Sequence, residues 1–148
     1  MRLLSGLLIF ALSAGAQAVR YDVVISNGRI FDGTGNPWFY GDIAILGDSI
    51  AALGHLPPHT ATLTLEAKGL AISPGFIDTH SHSRRGIFDV PTAENVIRQG
   101  VTTLMEGPDG GSPIPVKPFL DRLRNTPISV NMGTMVGHGS VRSAVMGS

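Results

Sequence analysis

The sequence predicts an α/β protein in two parts: the N-terminal part of a small β-sandwich, then the first βα units of a parallel sheet. Three observations predict it. Residues 21–70 hold short, alternating apolar runs broken by turn pairs. From Gly69 onward, strand-like runs alternate with helix-like ones. That second pattern delivers two histidines to the end of its first strand, the place where parallel α/β folds keep their chemistry.

The chain opens with Arg2, an apolar run from Leu3 to about Ala14, and Ala16-Gln17-Ala18. A charged start, a short apolar core and a small-residue end have the form of a secretory signal peptide, so residues 1–18 are expected to be removed after Ala18. The run is shorter than the roughly 20 apolar residues that span a bilayer, which argues against an uncleaved anchor. The expected location is periplasmic or secreted, with no stable membrane anchor. The chain has no Cys. A lipid-bearing cysteine and disulfides are therefore excluded, and an exported chain must be stabilised by packing or metal.

Residues 19–72 form the β part. Asp22–Ser26 and Arg29–Phe31 read as two strands joined by a tight turn at Asn27-Gly28. Asp32–Pro37 is a loop. Asp42–Leu46 and Ser49–Leu53 repeat the hairpin pattern across Gly47-Asp48, and Thr60–Glu66 is a further strand. His55 and His59 flank Pro57-Pro58 in a loop and read as surface residues.

Residues 73–148 change rhythm. Gly75–Thr79 is a strand leading into His80-Ser81-His82. A helix is expected from Thr92, which can cap it, to Gln99, with Ala93, Val96 and Ile97 as its apolar stripe and Gly100 ending it. Val101–Met105 is a β-branched strand. Pro118–Asn125 reads as a second helix with Phe119, Leu120 and Leu123 on one face, and Ile128–Met132 as a third strand. Strand, helix, strand, helix, strand implies right-handed parallel crossovers. A complete (β/α)8 barrel takes about 250 residues, so residues 73–148 are expected to be the start of one, and the chain an N-terminal portion of a longer protein.

Charge narrows the partners. Eleven acidic residues balance eleven basic ones, and no basic stripe is visible. That excludes nucleic acid and an electrostatically held membrane surface as expected partners. His80 and His82 point the other way, towards a metal. Side chains two apart on a strand share a face, and two neutral imidazoles there can reach one divalent ion without distorting the backbone. A bare His-x-His is weak; delivery to a strand end by Pro74-Gly-Phe-Ile-Asp78 strengthens it.

Three segments in order, Asn27-Gly-Arg-Ile-Phe-Asp-Gly33, Pro74-Gly-Phe-Ile-Asp-Thr-His-Ser-His82 and Gly100-Val-Thr-Thr103, resemble the amidohydrolase superfamily. Gly107-Pro-Asp-Gly-Gly-Ser112 and Val136-Gly-His-Gly-Ser-Val-Arg142 are similar to its D-aminoacylase branch, the N-acyl-D-amino-acid deacylases. The resemblance covers residues 21–148. It implies a small β-sandwich followed by a metal-dependent (β/α)8 barrel, a divalent metal cofactor of the zinc type, and a small-molecule N-acyl amino acid or related amide as substrate.

The resemblance also implies His80 and His82 as metal ligands. D-aminoacylases typically carry a ligating Cys in a Gly-Asn-Cys-Gly sequence, where this chain has Gly107-Pro-Asp-Gly110. Asp109 is therefore the expected third ligand, with Glu106 at the strand end as its rival and an ordinary Pro-Asp-Gly turn as the plain alternative. Asp78 has two readings, a group that orients an imidazole or a strand-end hydrogen bonder. His138 and Arg142, in the loop expected after the third strand, are implied to face the substrate, the arginine pairing with a carboxylate. Arg84 and Arg85 read as solvated. The expected reaction is metal-assisted hydrolysis of a linear amide, with no catalytic acid or base residue assigned in this chain. Another amidohydrolase activity (cyclic amidase or dipeptidase) and a non-catalytic exported module remain the alternatives.

Overall fold

The computed structural model describes residues 18–147, so the signal-peptide reading of residues 1–18 falls almost wholly outside them. The chain divides between Ser73 and Pro74 into two compact units. Among the described residues no helix is long and apolar enough to cross a membrane.

The first unit is a single mixed sheet of five strands: β1 (Val19–Ile30), β2 (Phe39–Leu46), β3 (Ser49–Gly54), β4 (His59–Glu66) and β5 (Ala71–Ile72). The order is β3-β2-β1-β4, with β5 also on β1. The expected β2–β3 hairpin is present, antiparallel across Gly47 and Asp48. The expected hairpin at Asn27-Gly28 is not. β1 runs straight through those residues, because its partners shift register there and leave Asn27 as a left-handed bulge residue (φ 62°). The bulge is held from both neighbouring strands: Asn27 N donates to Asp42 Oδ1, and Asn27 Nδ2 to Glu66 Oε2. Gly28 leaves room for the Ile72 side chain: a Cβ there would lie 2.1 Å from Ile72 Cδ1, so Ile72 would have to move. His59 is likewise the first residue of β4 rather than part of a loop, although exposed as expected. The core is Tyr21, Val24, Ala44 and Leu56. In the Asp32–Pro37 loop, hydrogen bonds from the Thr34 backbone and hydroxyl hold the Asp32 carboxyl below its ordinary pKa.

The second unit is a three-stranded parallel sheet, β6 (Phe76–Ser81), β7 (Val101–Glu106) and β8 (Asn131–Thr134), in that order. Its helices are α1 (Glu94–Ile97), α2 (Val116–Arg124) and α3 (His138–Met146). Alternation along β7 puts Leu104 and Glu106 on one buried face. Leu104 anchors the apolar core there, with Ile87, Ala93, Leu123 and Val130, and with Phe119 and Leu120 packed around it.

Four expectations are corrected. Thr92 caps no helix: turns from Gly86 to Ala93 consume that segment, Ala93 adopts φ 46°, and α1 is one short turn. α2 starts two residues early, and Pro118 fits its first turn because an N–H there would lack a partner in any case. The third strand starts at Asn131, because Ile128 N and Ser129 N bond to Thr126 O and Pro91 O instead of to β7. His138 and Arg142 lie on α3 rather than in a loop; Gly137 supplies the extended residue that starts the helix.

Candidate metal centre

Parallel pairing aligns the carboxyl ends of the three strands. Ser81 pairs with Glu106, and Glu106 with Thr134, so the loops that follow share one rim. β6 presents His80 one residue before its end, and His82 follows directly after it. The two rings lie 5.5 Å apart between centroids. Ser81, between them, faces the other way and is buried. Asp78 Oδ1 accepts the backbone N–H of His80 at 3.0 Å, which gives it the strand-end role rather than that of an imidazole partner.

The loop after β7 returns Asp109 to the histidine side. Its Oδ1 lies 3.0 Å from His80 Nε2 and its Oδ2 lies 3.1 Å from His82 Nε2. Ligand atoms of these three residues all lie within 4.8 Å of one another. Ligands about 2.1 Å from one tetrahedral ion stand about 3.4 Å apart, so small side-chain shifts bring this set to a metal. Two imidazole nitrogens and a carboxylate are also a suitable donor set for zinc and related ions. The side chains are 60%, 70% and 59% exposed. Exposed pairs of this kind stabilise a fold by only about 0–1 kcal/mol.

Glu106 is not in that group. It is 2% exposed and lies on the helix-covered face of β7. Its Oε1 accepts the Ser81 hydroxyl at 3.1 Å and the Arg84 backbone N–H at 3.0 Å. Arg84 was expected to be solvated; instead its Nη1 donates to Gly111 O at 2.8 Å and holds the Asp109 loop. Proximity in sequence gave no sign of that contact, because it joins residues 27 apart.

A second tie holds the other end of the loop. Ser112 N donates to Ser140 Oγ at 2.8 Å, Ser140 Oγ donates to Ser112 O at 3.0 Å, and Gly137 N donates to Ser112 Oγ at 2.8 Å. The backbones meet so closely that a Cβ on Gly137 would lie 2.3 Å from Gly110 O. His138 and Arg142 are exposed one turn apart on α3, and the three-residue group does not include His138.

No family model matches the chain. It is 33% identical over 149 residues to a D-aminoacylase of Alcaligenes xylosoxydans xylosoxydans, across 85% of this chain and 31% of that protein. It is 32% identical over 129 residues to an adenine deaminase of Bacillus subtilis, across 84% of this chain and 22% of the deaminase. A solved N-acyl-D-glutamate deacylase from Bordetella bronchiseptica, complexed with zinc and a phosphonate mimic of the tetrahedral intermediate, aligns with a TM-score of 0.80 at 30% identity. That match covers 87% of this chain and 32% of the solved one. A D-aminoacylase described as having a binuclear metal centre aligns at 0.77 and 32% identity, over 86% and 32% of the two chains. The chain thus spans about a third of the length of the curated deacylases it matches.

Proposed function

The chain belongs to the D-aminoacylase family of amidohydrolases, and from that premise we propose that the whole protein hydrolyses N-acyl-D-amino acids. The observation that carries the reading is the convergence of His80 Nε2, His82 Nε2 and both Asp109 oxygens. These three residues would hold a divalent ion, zinc being the simplest choice for two nitrogens and one oxygen. Such an ion activates water near neutral pH and polarises the scissile carbonyl.

The chain's own groups do the rest of what can be assigned. Asp78 fixes the backbone at His80. Ser81, buried between the histidines, keeps them on one side of the strand. Arg142, exposed on α3, is the proposed partner of the substrate carboxylate, and His138 is proposed to face the substrate beside it. The parallel unit serves as the start of a (β/α)8 barrel with its site on the carboxyl-end rim, and the first unit as one layer of the β-sandwich.

The test is hydrolysis of N-acetyl-D- and N-acetyl-L-amino acids by the whole protein, before and after chelation and after zinc is restored. D-selective amine release that is lost on chelation and recovered with zinc is expected. Hydrolysis of the L-isomers alone removes the assignment. The adenine deaminase relative favours one other reading, hydrolytic loss of an exocyclic amine; ammonia release from adenine in the same assay selects it.

A further inference from the structure

We infer that Glu106 is a positioning residue that sets the two halves of the candidate metal centre against each other, one step removed from the metal itself. The inference rests on the proposed metal reading, and three observations carry it.

The first is burial. A carboxylate 2% exposed stands where the alternation of β7 calls for an apolar residue beside Leu104. Burying such a group is costly unless it is hydrogen-bonded, so its bonds identify what keeps it there.

The second is where those bonds go. The partners of Oε1 flank His82: Ser81 Oγ on one side and the Arg84 N–H on the other. With its one proton on Glu106, Ser81 Oγ accepts from the Ser83 hydroxyl at 2.8 Å and from the Ser83 N–H at 3.2 Å. The backbone on either side of His82 is therefore referenced to one carboxylate, although His82 itself is 70% exposed.

The third is the connection onward. Arg84 passes the constraint to Gly111 O at 2.8 Å, two residues beyond Asp109. Glu106 lies three residues before Asp109 on the same strand–loop junction. A cleft of about 120 Å³ is lined by His82, Arg84, Glu106, Asp109 and Gly111 together, so the brace reaches the space between the ligands. Direct strand pairing ends at Ser81 and Glu106, so beyond it the His82 segment and the Asp109 loop are joined by this brace together with the contacts of His80 and His82 to Asp109.

Among the described residues only Oε1 has a hydrogen-bond partner, so an amide oxygen can take over both bonds, whereas a thioether of similar length cannot. The experiment titrates the whole metal-free protein with Co²⁺ and follows affinity and visible absorption for the parent, Glu106→Gln, Glu106→Met and Arg84→Met. Glu106→Met is expected to bind about 10–100-fold more weakly with an altered spectrum, as for other groups that orient metal ligands. Glu106→Gln should restore most of the affinity and the parent spectrum. Arg84→Met keeps the backbone bond but loses Gly111, and should change the spectrum with a smaller affinity loss. A purely structural role would lower thermal stability and leave the spectrum of the folded protein unchanged. Parent-like affinity and spectrum in Glu106→Met overturn the inference; if that variant does not fold, the same result in Arg84→Met does so. Failure of the parent itself to bind Co²⁺ overturns the metal reading, and this inference with it.

Discussion

Asp109 stands where the family resemblance leads one to expect a thiolate, and the difference is chemical as well as steric. A carboxylate is the harder ligand, so it broadens the range of acceptable divalent ions. Replacing it with alanine removes the proposed third donor, and Asp109→Ala should lose about tenfold or more in metal affinity, read as metal content after dialysis. Asp109→Cys should keep the ion and shift competition towards Zn²⁺ over Mn²⁺; an unchanged preference would remove Asp109 from the ligand set. The residue scale is also where the sequence was most and least informative. His80 and His82 were legible, because strand periodicity alone puts them on one side. Choosing between Asp109 and Glu106 needed the face of β7. That face was readable from Leu104, two residues before Glu106, but Asp109 sits past the strand end, where periodicity no longer applies. Arg84 could not be read at all, since its role depends on a loop brought to it only by folding.

Elements show a different kind of shortfall. Asn27-Gly28 has the composition of a two-residue turn, yet β1 continues through it because β2 and β4 flank it on both sides and use its polar groups. Tertiary pairing overrode a local signal that was sound in itself. The β8–α3 connection was placed after the third strand as expected, but its apparent loop is largely helix, starting at His138. Gly137 is the pivot of that junction. Its own backbone angles are ordinary (φ −72°, ψ 122°), so its requirement is space alone. A methyl there meets the backbone of Gly110 and Ser112, which has no rotamer to yield. Gly137→Ala should therefore displace the Asp109 loop, lowering stability by about 1–3 kcal/mol in denaturant titration. It should also weaken metal binding; a variant that loses stability but keeps parent affinity would show the loop to be indifferent to α3.

At the scale of the whole molecule, the sequence conveyed the order of events well: a β unit, a change of rhythm near residue 70, then parallel βα alternation. It conveyed less about connectivity inside the β unit, where the parallel pairing of β1 with β4 joins segments about 40 residues apart. Such pairings leave no local trace. The parallel unit has a further property that follows from aligning Ser81, Glu106 and Thr134 at one rim. Everything proposed to touch metal or substrate emerges there, while the turns at the amino ends of β7 and β8 carry none of it. The two ends of the sheet should therefore differ in how freely they accept change, one constrained by chemistry and the other only by the need to stay folded. A short Gly/Ser insertion between Thr126 and Pro127, ahead of β8, should leave metal binding intact, whereas the same insertion between Gly110 and Gly111 should abolish it, both read by metal content. The lower rim is the natural place for a tag, a label or a lineage's accumulated insertions.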